Sequence, residues 1–377
     1  MSALCPIRPW YASPAHTPPL DPTLLSPMRT SRSPTAKQKT KTNLRMIANE
    51  LGISMMTVSR ALNGHPGVAA TTRKRVLTAA DRLRYRPNKL IHAIRSGRSR
   101  TIGVMIGVPT SFHARLIHGI HDALAEAGYL PILHFHGPGA MAHRDEQELA
   151  YLHRLLDQRV DGIIFWPSDE TVPEHYLREV WERGVPLVAI DRNLPLTKAD
   201  FAGTDDMHGG RLVADYLLSL GHRRLAHIGG EPWVATYADR RRGFEETVCG
   251  RPGVTYAFDH CEDSLSGPAA RRLLAGPDRP TAVFLASDRM APHVYAAAGA
   301  EGLRIGSDLS VVGFAALTET IWLQPHLTTV DQEPDEIGRA AVRLMIDRLE
   351  GKTKAAAPKS VRITPKLVVR ESSGLAP

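Results

Sequence analysis

Two groups of residues have the types and spacing to do chemistry, and neither has the look of a bond-making centre. The first is cationic: between Arg29 and Arg100 stand seventeen Lys/Arg against two acids, Glu50 and Asp81. The 377-residue chain carries a formal charge of +8, so this block at +15 leaves the remainder mildly acidic. Cationic density of that kind suits a surface that neutralises phosphates. The second group follows short apolar runs: Pro109 to His113, Trp166 to Asp169, Asp191-Arg192, Trp233 and Asp288. Parallel strands meet ligands beyond their carboxyl ends, which makes these residues candidate contacts for a small molecule.

Other constellations fail to assemble. Six histidines (His113, His118, His121, His134, His136 and His143) lie close in sequence, and His118 and His121 can share a helix face. No cysteine or glutamate pair accompanies them, so solvent-facing histidines are the better reading. Cys5, Cys249 and Cys261 form no CxxC pair, which fits a reducing compartment. Gly229-Gly230 lacks the other glycine, lysine and hydroxyl positions of a phosphate-cradling loop. Neither G-x-S-x-G nor H-E-x-x-H occurs. No catalysis, metal or cofactor is therefore expected. No run approaches the roughly 18 apolar residues of a membrane helix, and the opening MSALCPIRPWYASPAHTPPLDP has proline and charge where an export signal is apolar. A cytoplasmic, nucleoid-associated protein without membrane contact is the expectation.

The elements that must position these groups follow from periodicity. Residues 1–41, rich in Pro, Ser and Thr, read as a disordered leader or as sequence upstream of a start at Met28. Leu44, Ile47, Ala48 and Leu51 recur at helical spacing and Gly52 stops them. Ser54 caps a second helix from Met55 to Leu62, closed by Asn63-Gly64. A third starts at Thr71 or Thr72 and runs to about Arg84, turning Val76, Leu77, Ala80 and Leu83 inward. Two short helices joined by a tight glycine turn and braced by a third make a helix-turn-helix, whose second helix fits the major groove. After Pro87, Asn88 to Arg95 can form a helix too short to hold by itself in water.

From Thr101 the runs Ile102 to Val108, Gly162 to Trp166, Leu187 to Ile190, Leu225 to Ile228, Ala282 to Ala286 and Leu309 to Phe314 alternate with amphipathic stretches. That is the pattern of parallel sheets with helices on both faces, an α/β doubly wound body. Its length exceeds one such core and suits two.

The stretch from Leu44 to Met105 contains TVSRALN, a V-x-x-x-T-R-x-R-V helix and Y-x-P-N in fixed order. It resembles the lactose-repressor (LacI/GalR) family of bacterial transcription regulators, and the resemblance continues at lower density to about Glu371. It implies that Met55, Met56 and Arg60 read bases: Arg60 has the donor fork for the O6/N7 edge of guanine, while the methionines offer apolar contact, for example to thymine methyls. Thr57, Ser59, Asn63 and Thr72 are placed to bond phosphates, with capping or solvent exposure as the alternative for Thr57 and Ser59. Asn88 opens a hinge that folds on DNA, and Ile94 matches a leucine that family members insert between base steps of the minor groove.

For the body the resemblance implies a type I periplasmic-binding-protein fold, two lobes joined by three crossovers with the ligand between them. The expected organisation is a helix-turn-helix at 42–87, hinge and linker at 88–98, a first lobe at 99–203 and 306–331, a second at 204–305 and 332–371, and a tail at 372–377. The resemblance adds Arg240, in R-x-x-G-F, and supports Asp288, in A-S-D-R-M-A, as effector contacts beside Asp191 and Arg192. Such carboxylates and arginines suit a sugar or sugar acid, a lobe-to-lobe salt bridge being the alternative for Asp288 and Arg240. Glu262 stands where relatives stack an aromatic ring, which leaves Phe112 or Trp166 for that role, and Trp166 serves equally as core. Ala315, in V-V-G-F-A, replaces an aspartate frequent in the family.

The function the resemblance implies is a homodimeric repressor that reads a near-palindromic double-stranded operator, its affinity set by a sugar-like effector. A transport-type solute-binding protein without catalytic activity would carry an export signal and no basic head. An enzyme on the same fold would need a nucleophile, a base or a cofactor loop.

Overall fold

The computed structural model describes residues 43–85, 97–107, 110–135, 144–167, 174–194, 199–230, 234–261, 263–352 and 357–377. The chain divides into two units, Met1–Pro87 and Asn88–Pro377. In the first, α1 (Leu44–Leu51), α2 (Met55–Leu62) and α3 (Ala70–Arg82) close around Ile47, Ala48, Val58, Ala61, Val76, Ala79 and Ala80. Asn43 accepts the Met46 N–H to open α1, and Gly52 ends it at φ 64, a left-handed turn that glycine takes without strain. Ser54 accepts the Thr57 N–H at 3.0 Å to open α2. The third helix begins earlier than its periodicity implies, and Leu77 is 49% exposed instead of inward. The buried stripe runs through Val76, Ala79 and Ala80, from which residue 77 is rotated by about 100°.

The second unit starts with β1 (Thr101–Ile106), α4 (Ser111–Glu126), β2 (Leu130–Phe135), α5 (Arg144–Asp157), β3 (Gly162–Phe165), α6 (Glu174–Glu182), β4 (Leu187–Ile190) and β5 (Asp200–Thr204). It continues with α7 (Asp206–Ser219), β6 (Arg224–Gly229), α8 (Ala235–Val248), β7 (Thr255–His260), α9 (Ser266–Leu274), β8 (Ala282–Leu285), α10 (Ala291–Ala300) and β9 (Ser310–Val312). Then come β10 (Thr329–Asp331), α11 (Pro334–Leu349), β11 (Ser360–Ile363) and β12 (Lys366–Val368). One parallel sheet has the order β2-β1-β3-β4-β5-β11, the other β7-β6-β8-β9. In both the strand order reverses beside the first strand, which opens a crevice at the carboxyl ends of β1 and β3 in one lobe and of β6 and β8 in the other.

Helices cover both faces of each sheet. In the first lobe Leu116, Ile120, Ile337 and Met345 of α4 and α11 pack on Ile102, Val104 and Ile164. Leu152, Leu155, Leu177 and Val180 of α5 and α6 pack on Met105, Ile163 and Phe165 across the sheet. In the second, α9 and α10 cover one face and α7 and α8 the other. The paired helices touch backbone to backbone at glycines: a Cβ on Gly243 would stand 1.9 Å from the Met207 carbonyl oxygen, and one on Gly119 2.2 Å from that of Asp335.

The lobe assignment from sequence is corrected after residue 305. Residues 306–331 were expected in the first lobe, yet β9 pairs with β8 and completes the second-lobe sheet. Residues 332–371 were expected in the second lobe, yet α11 lies on α4 and β11 pairs with β5 in the first. Three crossings remain, near Asp205, after Asp331 and between β11 and β12. Nor is 372–377 a free tail: Ser372 is fully buried and donates to the Val311 carbonyl, and the Ala376 N–H donates to Leu220 at 2.9 Å.

Candidate nucleic-acid interface and ligand cleft

On α2 the core takes Val58 and Ala61, which leaves Met55 and Met56, 53% and 57% exposed, together with Arg60 on the outer surface. Thr57 and Asn63 are engaged in the helix ends: Thr57 shares a 2.9 Å hydrogen bond with the Ser54 hydroxyl, and the Asn63 amide donates to the Ser59 carbonyl at 2.9 Å. Thr72 is half-buried in the first turn of α3, where Ala69 provides no side-chain cap, so the leading N–H groups are left for another acceptor. Asn88 and Ile94 lie outside the described residues.

The crevice of the first lobe brings His113, Trp166, Asp191 and Arg192 together. Thr110 and His113 form a reciprocal cap on α4, in which the imidazole Nδ1 accepts the Thr110 backbone N–H at 3.3 Å and meets its hydroxyl at 3.0 Å. With Nδ1 accepting, the neutral ring carries its proton on Nε2, an assignment made from this bonding pattern. That nitrogen is buried without a partner among the described residues. The ring stands edge-on to Trp166, centroids 5.4 Å apart. The indole N–H donates to Asp191 Oδ2 at 3.0 Å, and the Arg192 guanidinium lies 4.5 Å over the indole ring. Asp191 Oδ1 is also buried without a partner among the described residues. Burial pulls His113 below the usual imidazole range, against the Asp191 carboxylate and with help from Arg192 and Arg289. The wall thus presents one N–H donor and one carboxylate acceptor that the described protein leaves unmatched, a pairing that a polar ligand can complete.

In the second lobe Arg240 is buried on α8. Its Nε donates to Asp206 Oδ1 at 2.8 Å, its Nη1 to the Ala286 carbonyl at 2.7 Å, and the guanidinium lies 4.0 Å over the Phe314 ring. Burial pushes Asp206 up to about 7 although Arg240 pulls the other way, and the Asp191 charge adds to the rise. Asp191 and the Arg240–Asp206 pair therefore share one electrostatic field. Asp288 is fully buried just after β8: Oδ2 accepts the Leu317 N–H at 2.8 Å and Oδ1 the Thr329 hydroxyl at 2.7 Å. Burial raises its carboxyl to about 6 despite those bonds. The lobes also meet where the Ser111 N–H donates to Glu319 Oε1 at 2.8 Å, the Ser111 hydroxyl bonds Glu319 and the Thr318 N–H donates back to Ser111 Oγ at 2.9 Å.

Several expectations change in this light. Asp288, expected as an effector contact, uses both carboxylate oxygens to hold the segment between β9 and β10. Phe112 lies in the first-lobe core and backs His113 at 5.3 Å, so it is no stacking platform. Trp166 has Arg192 over its ring, His113 at its edge and Gly107 packed so closely that a Cβ there would come within 2.5 Å of it. His113 and His134 are not solvent-facing, since the Nε2 of each is buried. Glu262, Pro109 and Trp233 lie outside the described residues. Asp206 and Glu319 were not legible as site residues in the sequence. Asp206 follows β5, whose polar ends hid the strand and with it the helix start that would have flagged the acid.

Residues 43–88 match the family described as "Bacterial regulatory proteins, lacI family", and residues 214–373 match "Periplasmic binding protein-like domain". The HTH-type transcriptional repressor PurR of Photobacterium profundum is 28% identical over 335 residues, 86% of this chain and 97% of that one. The lac repressor dimer bound to operator and the anti-inducer ONPF matches with a TM-score of 0.74 at 25% identity, over 88% of this chain and 99% of its own. The complex of the transcriptional regulator CelR with cellobiose matches with a TM-score of 0.63 at 28% identity, over the same shares.

Proposed function

The chain belongs to the lacI family of bacterial regulatory proteins, and on that premise we propose how this effector-regulated, DNA-binding repressor divides its work among its residues. The observation that carries the proposal is the outward stripe of Met55, Met56 and Arg60 on the second helix, capped by Ser54, of a three-helix head. Arg60 donates to a guanine edge and the methionines rest on thymine methyls. Thr72 and the uncapped first turn of α3 hold phosphate, while Ser59, Thr57 and Asn63 keep the ends of α2 in shape. Asn88 and Ile94 are assigned to the hinge by the resemblance alone. Among the described residues no helix is long and apolar enough to cross a membrane.

The effector lies at the crevice between the lobes, where His113 Nε2–H donates to one group and Asp191 Oδ1 accepts from its neighbour. That pair suits the adjacent hydroxyls of a sugar, with Arg192, Arg240 and Asp206 setting the field around it. Pairing of two copies is supported by the edge strand β2, which exposes Leu130, Leu133 and Phe135 beside an apolar cavity of about 240 Å³ against α4. Ile321 and Trp322, the latter 86% exposed, offer a second apolar patch beyond the first lobe. Effector binding alters the crevice contacts and shifts DNA affinity by a coupling energy of about 1–3 kcal/mol.

Selection of duplexes from a random pool with the full chain, followed by gel-shift titration of the enriched sequence, tests the base-reading role. Arg60→Ala should weaken binding by about 5- to 150-fold and relax the preference at one position. Unchanged affinity and unchanged preference would refute the assignment.

A further inference from the structure

A second cavity, of about 610 Å³, lies at the amino ends of β1, β3 and β4, the opposite end of the first-lobe sheet from the effector crevice. Its lining includes four arginines, Arg98, Arg159, Arg183 and Arg348, and one acid, Asp161. Asp161 is occupied, accepting the backbone N–H groups of Ser99 at 2.7 Å and Arg100 at 3.0 Å. Arg348 grips Asp200 with two nitrogens at 2.8 and 2.6 Å, and Arg183, in the turn just past α6, pairs with Glu179 of that helix. The Arg159 guanidinium has no hydrogen bond or ion pair among the described residues. Arg159 also sits just past the end of α5 at φ 54, a left-handed position where glycine is the comfortable residue. Beside it, Trp181 lines the cavity with its indole Nε1 buried and unpartnered among the described residues, next to Val185 and Pro186.

An unpaired guanidinium held in a strained backbone, two further arginines at the wall, an orphaned indole donor and an apolar flank make a site for an anion attached to an apolar body. From this we infer that the cavity binds a small organic phosphate. The phosphate oxygens lie on Arg159 with Arg98 and Arg183, and the organic part lies on Trp181 and Pro186. A phosphoryl group fits better than a single carboxylate because its oxygens can meet several guanidinium forks at once. The volume falls within the range of about 300–1,000 Å³ typical of small-molecule sites. Binding here has a regulatory consequence. Gly97 and Arg98 belong to the linker that follows the hinge segment, and Arg98 donates to the Leu349 carbonyl at 2.7 Å. An anion seated on Arg98 fixes that linker to the lobe independently of the effector crevice.

Phenyl phosphate is the probe, titrated calorimetrically into the full chain, with inorganic phosphate and phenol as its separated halves. One saturable site per chain is expected, tighter for phenyl phosphate than for either half. Arg159→Gly should weaken it at least about tenfold while the melting temperature holds or rises, because glycine relieves the left-handed backbone. Trp181→Phe, which keeps the ring and removes the donor, should weaken it by less. No saturation below about 10 mM, a concentration of marginal affinity, would overturn the inference. So would phenol binding as well as phenyl phosphate, or Arg159→Gly binding as well as the parent. Displacement of phenyl phosphate by random duplex DNA in the parent but not in Arg159→Gly would reassign the arginines to a nucleic-acid backbone and likewise end it.

Discussion

Replacing Asp288 by alanine separates a carboxylate that holds the fold from one that meets a ligand, because the two roles move different observables. The substitution deprives the Leu317 N–H and the Thr329 hydroxyl of their acceptor. Thr329 is already bound on its other side by the Ala316 N–H at 3.2 Å, so its reorientation is restricted. Each stranded buried donor costs about 1–3 kcal/mol, so the two together cost about 2–6 kcal/mol. An offset acts in the other direction. With its carboxyl raised to about 6 by burial, ionised Asp288 destabilises the native state by about 3 kcal/mol at pH 7 and by under about 1 kcal/mol at pH 4, where most of it keeps its proton. The sign follows from a native carboxyl that holds its proton more tightly than the unfolded one: its favourable contribution is complete below the unfolded value and fades as pH rises through about 6. Alanine removes that penalty, so Asp288→Ala should be more destabilising at pH 4 than at pH 7, by about 2 kcal/mol. Urea unfolding of parent and variant at both pH values measures the difference. A variant as stable as the parent at both, but deaf to its effector, would show that Asp288 faces the ligand and that the bonds to Leu317 and Thr329 count for little.

Three further outcomes follow from single contacts. Ser54→Ala removes the acceptor of the Thr57 N–H and should cost the head about 1 kcal/mol, read as an earlier melt by circular dichroism with correspondingly weaker operator binding. His227, buried among Phe244, Phe258 and Phe284 and pulled down to about 3 by burial, stabilises the fold above its unfolded value and loses that contribution as pH falls toward 3. His227→Phe should move the acid-unfolding midpoint to lower pH, and an unmoved midpoint would show that other groups govern acid unfolding. Gly243→Ala forces a methyl to within 1.9 Å of the Met207 carbonyl and should destabilise by about 1–3 kcal/mol in a thermal melt, whereas Gly299→Ala, with open space around it, should be nearly silent.

What the sequence disclosed were the features decided locally. The stops and caps of the head, Gly52 and Ser54, depend on neighbours three or four residues away, and the fully buried runs of β3, β4 and β8 are continuous apolar segments. Edge strands escaped because they do not read that way: LPILHF in β2 and TYAFDH in β7 are half-exposed and carry polar residues. The fate of residues 306–363 depends on whether β9 finds β8 and β11 finds β5, pairings between distant segments that leave no trace in local periodicity. Asp288 illustrates the same limit at a site. The donors that engage it come from Leu317 and Thr329, 29 and 41 positions away, and only their positions tell a tether from a ligand contact.

The three passages of the chain between lobes also govern how the gene can be dissected. A fragment ending after β5 lacks β11 beside that strand and α11 over Ile102, Val104 and Ile164, both of which arrive from far downstream. Such a half-domain would expose an apolar sheet face and precipitate. A single protease nick at any one passage, by contrast, would leave the two halves tied by the other two, and the body should stay assembled after cleavage until denaturant pulls it apart.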